Sequence, residues 1–153
     1  MPSLASFAQY FRIGVEVGIC TPEEVRDWAI SVIDDMDEPP GEIIEVSWRW
    51  PIPVLITHLN DVEGEPDEDL VCRSLLGRVL EMLTPTNDDI AYAVLQAKRV
   101  AFAAGTGDLY YLFSCFEDRL SLAKSNIYGT LAECRQDFES ELAEHSKPPL
   151  IYP

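Results

Sequence analysis

Residues 21–48, TPEEVRDWAISVIDDMDEPPGEIIEVSW, hold the clearest helix start in the chain and its most regular apolar stripe. Thr21 and Glu24 have the T-x-x-E spacing of a capping box, in which each side chain accepts a hydrogen bond from the other residue's backbone N–H. Pro22 falls at the first helical position, where its missing N–H costs nothing. Apolar side chains then recur every three or four residues, at Val25, Trp28, Ala29, Val32, Ile33 and Met36. This period predicts an amphipathic helix, which ends near Pro39 because the residue before a proline avoids helical geometry.

The same helical period recurs on both sides of this stretch. Residues 3–17 and 72–83 show it clearly. Thr86, with Asp89 at the capping-box position, begins a further helix, and Thr130 begins the last one in a second T-x-x-E box. These caps and stripes indicate helices along most of the chain.

One stretch, residues 42–50, is ambiguous, because a run this short fits either a helix or a strand. We favour a short helix there, since helices flank it on both sides. The sequence as a whole predicts an all-α fold: a single-domain array of about seven or eight short antiparallel helices over residues 1–145. A proline-rich tail, residues 146–153, follows and cannot be helical throughout.

The widest apolar stripe belongs to residues 108–124. The apolar side chains of this stretch follow helical spacing, and Tyr110, Tyr111, Cys115 and Leu122 widen the stripe. A helix that is apolar over most of its circumference is typical of a buried position. The pattern therefore predicts that this helix is the central and most buried one, with four side chains almost fully buried: Leu112, Phe113, Phe116 and Leu120.

The chain is strongly acidic. Its 153 residues include 11 basic and 27 acidic side chains, a net charge of -16 and a pI near 4.2. Such a field repels nucleic acid phosphates and anionic membranes and attracts cationic partners. We therefore expect neither a nucleic acid nor a membrane as partner. An acidic surface without any electrostatic purpose is the alternative.

Cysteine usage and the chain's start point to a cytoplasmic protein. The four cysteines, at positions 20, 72, 115 and 134, form no C-x-x-C pair, and with only two histidines no zinc spacing exists. Buried, reduced thiols are the expected state, which suits a reducing compartment. We also expect no signal peptide, since a basic region followed by an apolar run is missing near Met1, and we expect no helix that crosses a bilayer.

Two dense acidic tracts contain 12 of the 27 acids and no base. The first tract consists of Asp34, Asp35, Asp37, Glu38, Glu42 and Glu45, and the second of Asp61, Glu63, Glu65, Asp67, Glu68 and Asp69. One interpretation is a docking surface for a basic protein, with carboxylates accepting paired hydrogen bonds from arginine. The alternatives are a solvated loop and helix end, or a metal site. The second tract does not match the EF-hand template, since Gly64 lacks the full set of acids at the required preceding positions.

The motif Trp48-Arg49-Trp50 lies between the two tracts in sequence. Tryptophans of a helical domain usually belong to the core. Side chains of consecutive residues cannot all point inward, however, so Trp48, Trp50 or the arginine is expected to face outward. We therefore predict that Trp48 or Trp50 serves as an apolar anchor for a partner.

No catalytic constellation stands out. His58 is three residues from Asp61, but no nucleophile accompanies the pair, and a half-exposed structural histidine is the simpler interpretation. Cys115 has no cationic neighbour in sequence that would lower its pKa, so we expect an inert thiol. The sequence predicts no catalytic residue, no metal ligand and no cofactor.

Four short motifs resemble a family of small bacterial proteins of unknown function. They are Trp28-Ala29, Pro39-Pro40 followed by Glu42-Ile43-Ile44-Glu45-Val46-Ser47, Asp118 with Leu122-Ala123, and Ile127-Tyr128-Gly129-Thr130. Such proteins are all-helical and are similar to immunity proteins encoded beside polymorphic secreted toxins. The resemblance spans most of the chain, implies a non-enzymatic binder, and carries no catalytic residues.

Together these features predict a non-enzymatic, acidic protein-binding module that masks a basic protein partner. The resemblance implies that this module is an immunity protein neutralising a bacterial toxin. The expected contact residues are the two acidic tracts, with Trp48 or Trp50 as anchor. Two alternatives stay open: a metal-dependent enzyme that uses the acidic tracts, and a small structural or regulatory helical protein.

Overall fold

A computed structural model of the chain describes residues 1–83 and 90–153. The described residues form eight helices and no strand, so the all-α, single-domain prediction is confirmed. The helices are α1 Leu4–Val17, α2 Pro22–Asp35, α3 Gly41–Val46, α4 Ile52–Asn60, α5 Glu68–Met82, α6 Ile90–Ala103, α7 Gly107–Lys124 and α8 Leu131–His145. The ambiguous stretch 42–50 contributes the short helix α3, as favoured. The predicted cap at Thr86 and Asp89 lies outside the described residues.

The start of α2 has the capping box that the sequence predicts. The Glu24 N–H donates to Thr21 Oγ1 at 3.2 Å, and the Thr21 N–H donates to Glu24 Oε2 at 2.7 Å, which completes the capping box. The helix ends at Asp35, earlier than Pro39 requires, and Met36 is extended and exposed. The predicted stripe is therefore buried up to Val32, Ile33 is half-buried, and Met36 lies beyond the end of the helix.

At the start of α8 the structure shows one of the two bonds of the predicted box. The Glu133 N–H donates to Thr130 Oγ1 at 3.1 Å. This bond still satisfies one of the backbone donors that every helix start leaves open.

The chain divides into two compact units, Met1–Val71 with Leu150–Pro153, and Cys72–Pro149. In the first unit α1 packs against α4, while α3 packs against both α2 and α4. Ten of the 14 residues of α1 are buried. The Trp28 ring of α2 lies against two rings of α1, with centroid distances of 6.0 Å to Phe7 and 5.3 Å to Phe11.

In the second unit α7 packs against α6 and α8 around a cluster of three phenylalanines. Phe138 of α8 meets Phe113 and Phe116 of α7 edge to face, at centroid distances of 6.0 and 5.5 Å. All three side chains are buried, as is Leu120.

The prediction that α7 is the most buried helix is wrong, and α1 holds that position among the described helices. Leu112 is only half-buried, and Tyr111 is 73% exposed. Tyr110 and Leu122, which widened the stripe, are exposed too. The physical reason is that the pattern counts apolar side chains around a helix, whereas burial depends on how much of its circumference neighbouring helices cover.

The tail, residues 146–153, contains no helical residue. In the second unit the Lys147 N–H donates to the Arg73 carbonyl of α5 at 2.9 Å. Gly77 of α5 allows this approach, because a Cβ there would collide with the Lys147 carbonyl oxygen. In the first unit Tyr152 packs edge-on against Phe7, with centroids 5.7 Å apart.

Candidate functional site

Charge is distributed unequally between the two units. The first unit carries three basic and 16 acidic residues, a net charge of -13. The second carries eight basic and 11 acidic residues, a net charge of -3. Both acidic tracts and the Trp48-Arg49-Trp50 motif belong to the first unit. Attraction of a cationic partner is therefore a property of that unit.

The side chains of the two acidic tracts are exposed, apart from the half-buried Glu42. Part of the second tract has a structural role. Asp67 caps α5, because its Oδ1 accepts the Leu70 N–H at 3.1 Å, and Glu68 and Asp69 lie in the first turn, where the helix dipole favours negative charge. These three acids would be explained by helix stability alone.

Glu42 lies in the first turn of α3, where the helix dipole also favours its charge, but the remaining acids have no such local benefit. Asp34 and Asp35 occupy the last turn of α2, and Asp61 follows the last residue of α4. Carboxylates at the C-terminal end of a helix are disfavoured by its dipole. Glu63 and Glu65 lie in the exposed loop after α4. These acids are therefore the strongest candidates for contact with a partner.

Two contacts connect the tracts to neighbouring residues of α1. Ser6 Oγ accepts the Asp67 N–H at 2.9 Å. The ring of Phe7 touches Tyr152, whose hydroxyl donates to Asp35 Oδ2 at 3.0 Å. One residue of each tract is thus held near the N-terminal end of α1, although 32 positions separate Asp35 from Asp67 in the sequence.

The tryptophan motif forms an aromatic cluster at the junction of α3 and α4. Trp48 and Trp50 are stacked, with centroids 6.2 Å apart and planes 11° apart. Trp50 also contacts the ring of His58 of α4 at 5.0 Å, and its Nε1 donates to the Glu45 carbonyl at 2.8 Å. His58 is half-buried, which agrees with a structural histidine.

Trp48 is the exposed member of this cluster. It is 59% exposed, Trp50 is half-buried, and Trp28 belongs to the core. The expectation that one aromatic of the motif faces outward is met by Trp48. Three further apolar side chains of α3 and α4 are also exposed, namely Ile44, Ile52 and Val54.

An open cleft of about 350 Å³ adjoins the motif, and sequence reasoning missed it. Side chains of α2 and of the α3–α4 junction line it: Glu23, Arg26, Asp27, Ile30, Ser47 and Arg49. It contains two of the three bases of the first unit. No local pattern could have revealed this cleft, because it depends on how α2 packs against the junction.

The second unit has a larger cleft, of about 570 Å³, between the end of α7 and the start of α8. The Arg119 guanidinium donates to Asp137 Oδ2 at 2.8 Å in its wall. Burial raises the pKa of the Cys134 thiol there, although Arg119 opposes the rise. The thiol is therefore protonated near neutral pH and is a poor nucleophile.

Within residues 1–83 and 90–153, one group of three metal-ligating side chains brings its donor atoms within 4.8 Å of one another. It consists of Glu141, Glu144 and His145 at the end of α8, where His145 Nε2 lies 3.5 Å from Glu141 Oε2. The described carboxylates of the two acidic tracts form no such group.

None of the described helices combines the length and apolar character needed to cross a bilayer. Comparison with known proteins gives no match to a family model, a curated protein or a solved structure.

Proposed function

We propose that this protein is a non-enzymatic binding module that masks a basic surface of another protein. The observation that carries the proposal is the exposed indole of Trp48, which is held by stacking in a unit of net charge -13. A large exposed aromatic that is already fixed loses little conformational freedom on binding, and such residues dominate binding energy at interfaces.

The exposed acids supply the complementary part of the interface. Clustered charge of one sign speeds diffusional encounter and rejects partners of the same sign, and rim charges of this kind alter the association rate more than the dissociation rate. Asp34, Asp61, Glu63 and Glu65 fit this role best, because helix capping does not account for them. The resemblance to immunity proteins makes a secreted toxin the partner class we propose.

The test begins with a pull-down from the native host, followed by kinetics with the captured partner. The variant Asp61→Asn/Glu63→Gln/Glu65→Gln removes three charges and keeps Asp67, which caps α5. We expect its association rate to fall about tenfold or more at low salt and to depend less on salt. The matched control, Glu81→Gln/Asp118→Asn/Glu144→Gln, removes three exposed charges from the second unit and should change the rate far less.

Trp48→Ala tests the anchor separately. We expect a dissociation rate about 30-fold higher, which corresponds to the ~2 kcal/mol typical of a central aromatic contact. Equal effects of the two charge triplets, together with an unchanged dissociation rate for Trp48→Ala, would contradict the proposal.

A further inference from the structure

The outermost ring of the aromatic cluster, the indole of Trp48, is largely exposed. Trp50 is held by its contact with His58 and by the hydrogen bond from Nε1 to the Glu45 carbonyl. Trp48 lies parallel to Trp50 and is still 59% exposed. The indole is therefore oriented before any partner arrives.

No described cation of the chain covers this ring. Among the described residues, Lys98 lies over the ring of Tyr110 and Arg119 lies over the ring of Phe116, and both pairs belong to the second unit. Arg49, next to Trp48 in sequence, lines the cleft that contains the carboxylates of Glu23 and Asp27. The exposed indole of Trp48 thus stands in a strongly negative unit without an internal cation on it.

A guanidinium suits such a surface better than an ammonium ion. It is planar and weakly hydrated, so it can stack on an indole while its N–H groups remain available to carboxylates. An ammonium ion is a compact, strongly hydrated charge and loses more hydration on the same ring. Glu45, whose carbonyl holds Trp50, has an exposed carboxylate near this junction.

We infer that Trp48 is an arginine-selective anchor, which stacks on the guanidinium of an arginine side chain of the partner. This inference rests on the proposed function and specifies the chemistry of the partner's contact. It requires the partner surface to present at least one exposed arginine, and it makes lysine a weaker substitute at that position.

Two synthetic peptides of equal length and charge provide the test, one with arginines and one with lysines at the same positions between glycines. Titrated into the intact protein at low salt and followed by calorimetry, the arginine peptide should bind about two- to fivefold more tightly, the range expected for an exposed cation–π contact. Trp48→Leu should abolish this preference, because it lowers the affinity for the arginine peptide more than the affinity for the lysine peptide. Tyr111→Leu, which alters a similarly exposed aromatic of the second unit, should retain the preference.

The outcomes separate the inference from the proposed function. Equal affinity of the two peptides for the wild-type protein would overturn arginine selectivity and leave docking of a cationic surface intact. An arginine preference that survives in Trp48→Leu would overturn the assignment to Trp48. If neither peptide binds, both the inference and the electrostatic docking fail. Thermal unfolding of each variant verifies that it is folded.

Discussion

The hydroxyl of Tyr152 donates a hydrogen bond to Oδ2 of Asp35, 3.0 Å away and 117 positions earlier in the chain. The same ring packs edge-on against Phe7. Asp35 lies in the last turn of α2, where the helix dipole disfavours a carboxylate, so a donor at this point offsets an unfavourable charge. The end of the chain is thereby connected to the first acidic tract and to α1.

This contact predicts an altered titration of Tyr152. Burial, and then the hydrogen bond and charge of Asp35, raise the pKa of the Tyr152 hydroxyl above its ordinary value of about 10. Asp35→Asn should lower that pKa while leaving the contribution of burial. Tyrosinate absorbance, with the Tyr152→Phe protein subtracted to isolate this group, measures the change. Asp34→Asn, the neighbouring acid, serves as control, and an identical shift in both variants would disprove the assigned partner.

The same raised pKa has a consequence for stability. A group whose pKa is higher in the folded state contributes stability that is fully present below the unfolded pKa, near 10, and is lost as pH rises through the folded pKa. Unfolding measured from neutral to alkaline pH should therefore show a steeper loss for the wild-type protein than for Tyr152→Phe, which cannot ionise.

A further prediction concerns the close approach of the tail to α5. Gly77→Ala should destabilise the protein by about 1–3 kcal/mol, because the added Cβ collides with the Lys147 carbonyl oxygen and the backbone must shift. Amide hydrogen exchange should show faster exchange of the Lys147 N–H, which bonds the Arg73 carbonyl. Gly107→Ala is the control, since nothing lies within 4 Å of a Cβ at that helical position. A Gly77→Ala protein as stable as this control would refute the contact.

The last prediction compares two aromatic residues of α7. Phe116→Ala should cost about 3–5 kcal/mol, because it removes a buried ring from the contact with Phe138 and leaves a cavity. Tyr111→Ala, on the exposed side of the same helix, should change the free energy of unfolding by less than about 0.5 kcal/mol. Chemical denaturation measures both values. Similar costs for the two variants would mean that the exposed face of α7 is covered in solution.

Local features of the structure follow from the sequence by itself. The capping box of Thr21 and Glu24, the apolar stripe of α2 up to Val32 and the stop of α1 at Gly18, which has a φ of 82°, all depend on residues within a few positions of one another. Hydrogen bonds at helix ends and the 3.6-residue period act over that range, so a single stretch of sequence determines them.

Tertiary packing decided the features that matter for the candidate site. Trp28 and Trp48 are the same residue type, yet the first lies in the core and the second is 59% exposed. The ring of Trp28 lies against the rings of α1, whereas Trp48 stacks on Trp50 at the junction of α3 and α4. The cleft beside Arg49 and the bond from Tyr152 to Asp35 likewise join distant parts of the chain. Burial and long-range contacts depend on which helix faces meet, and no local pattern of side chains specifies that choice.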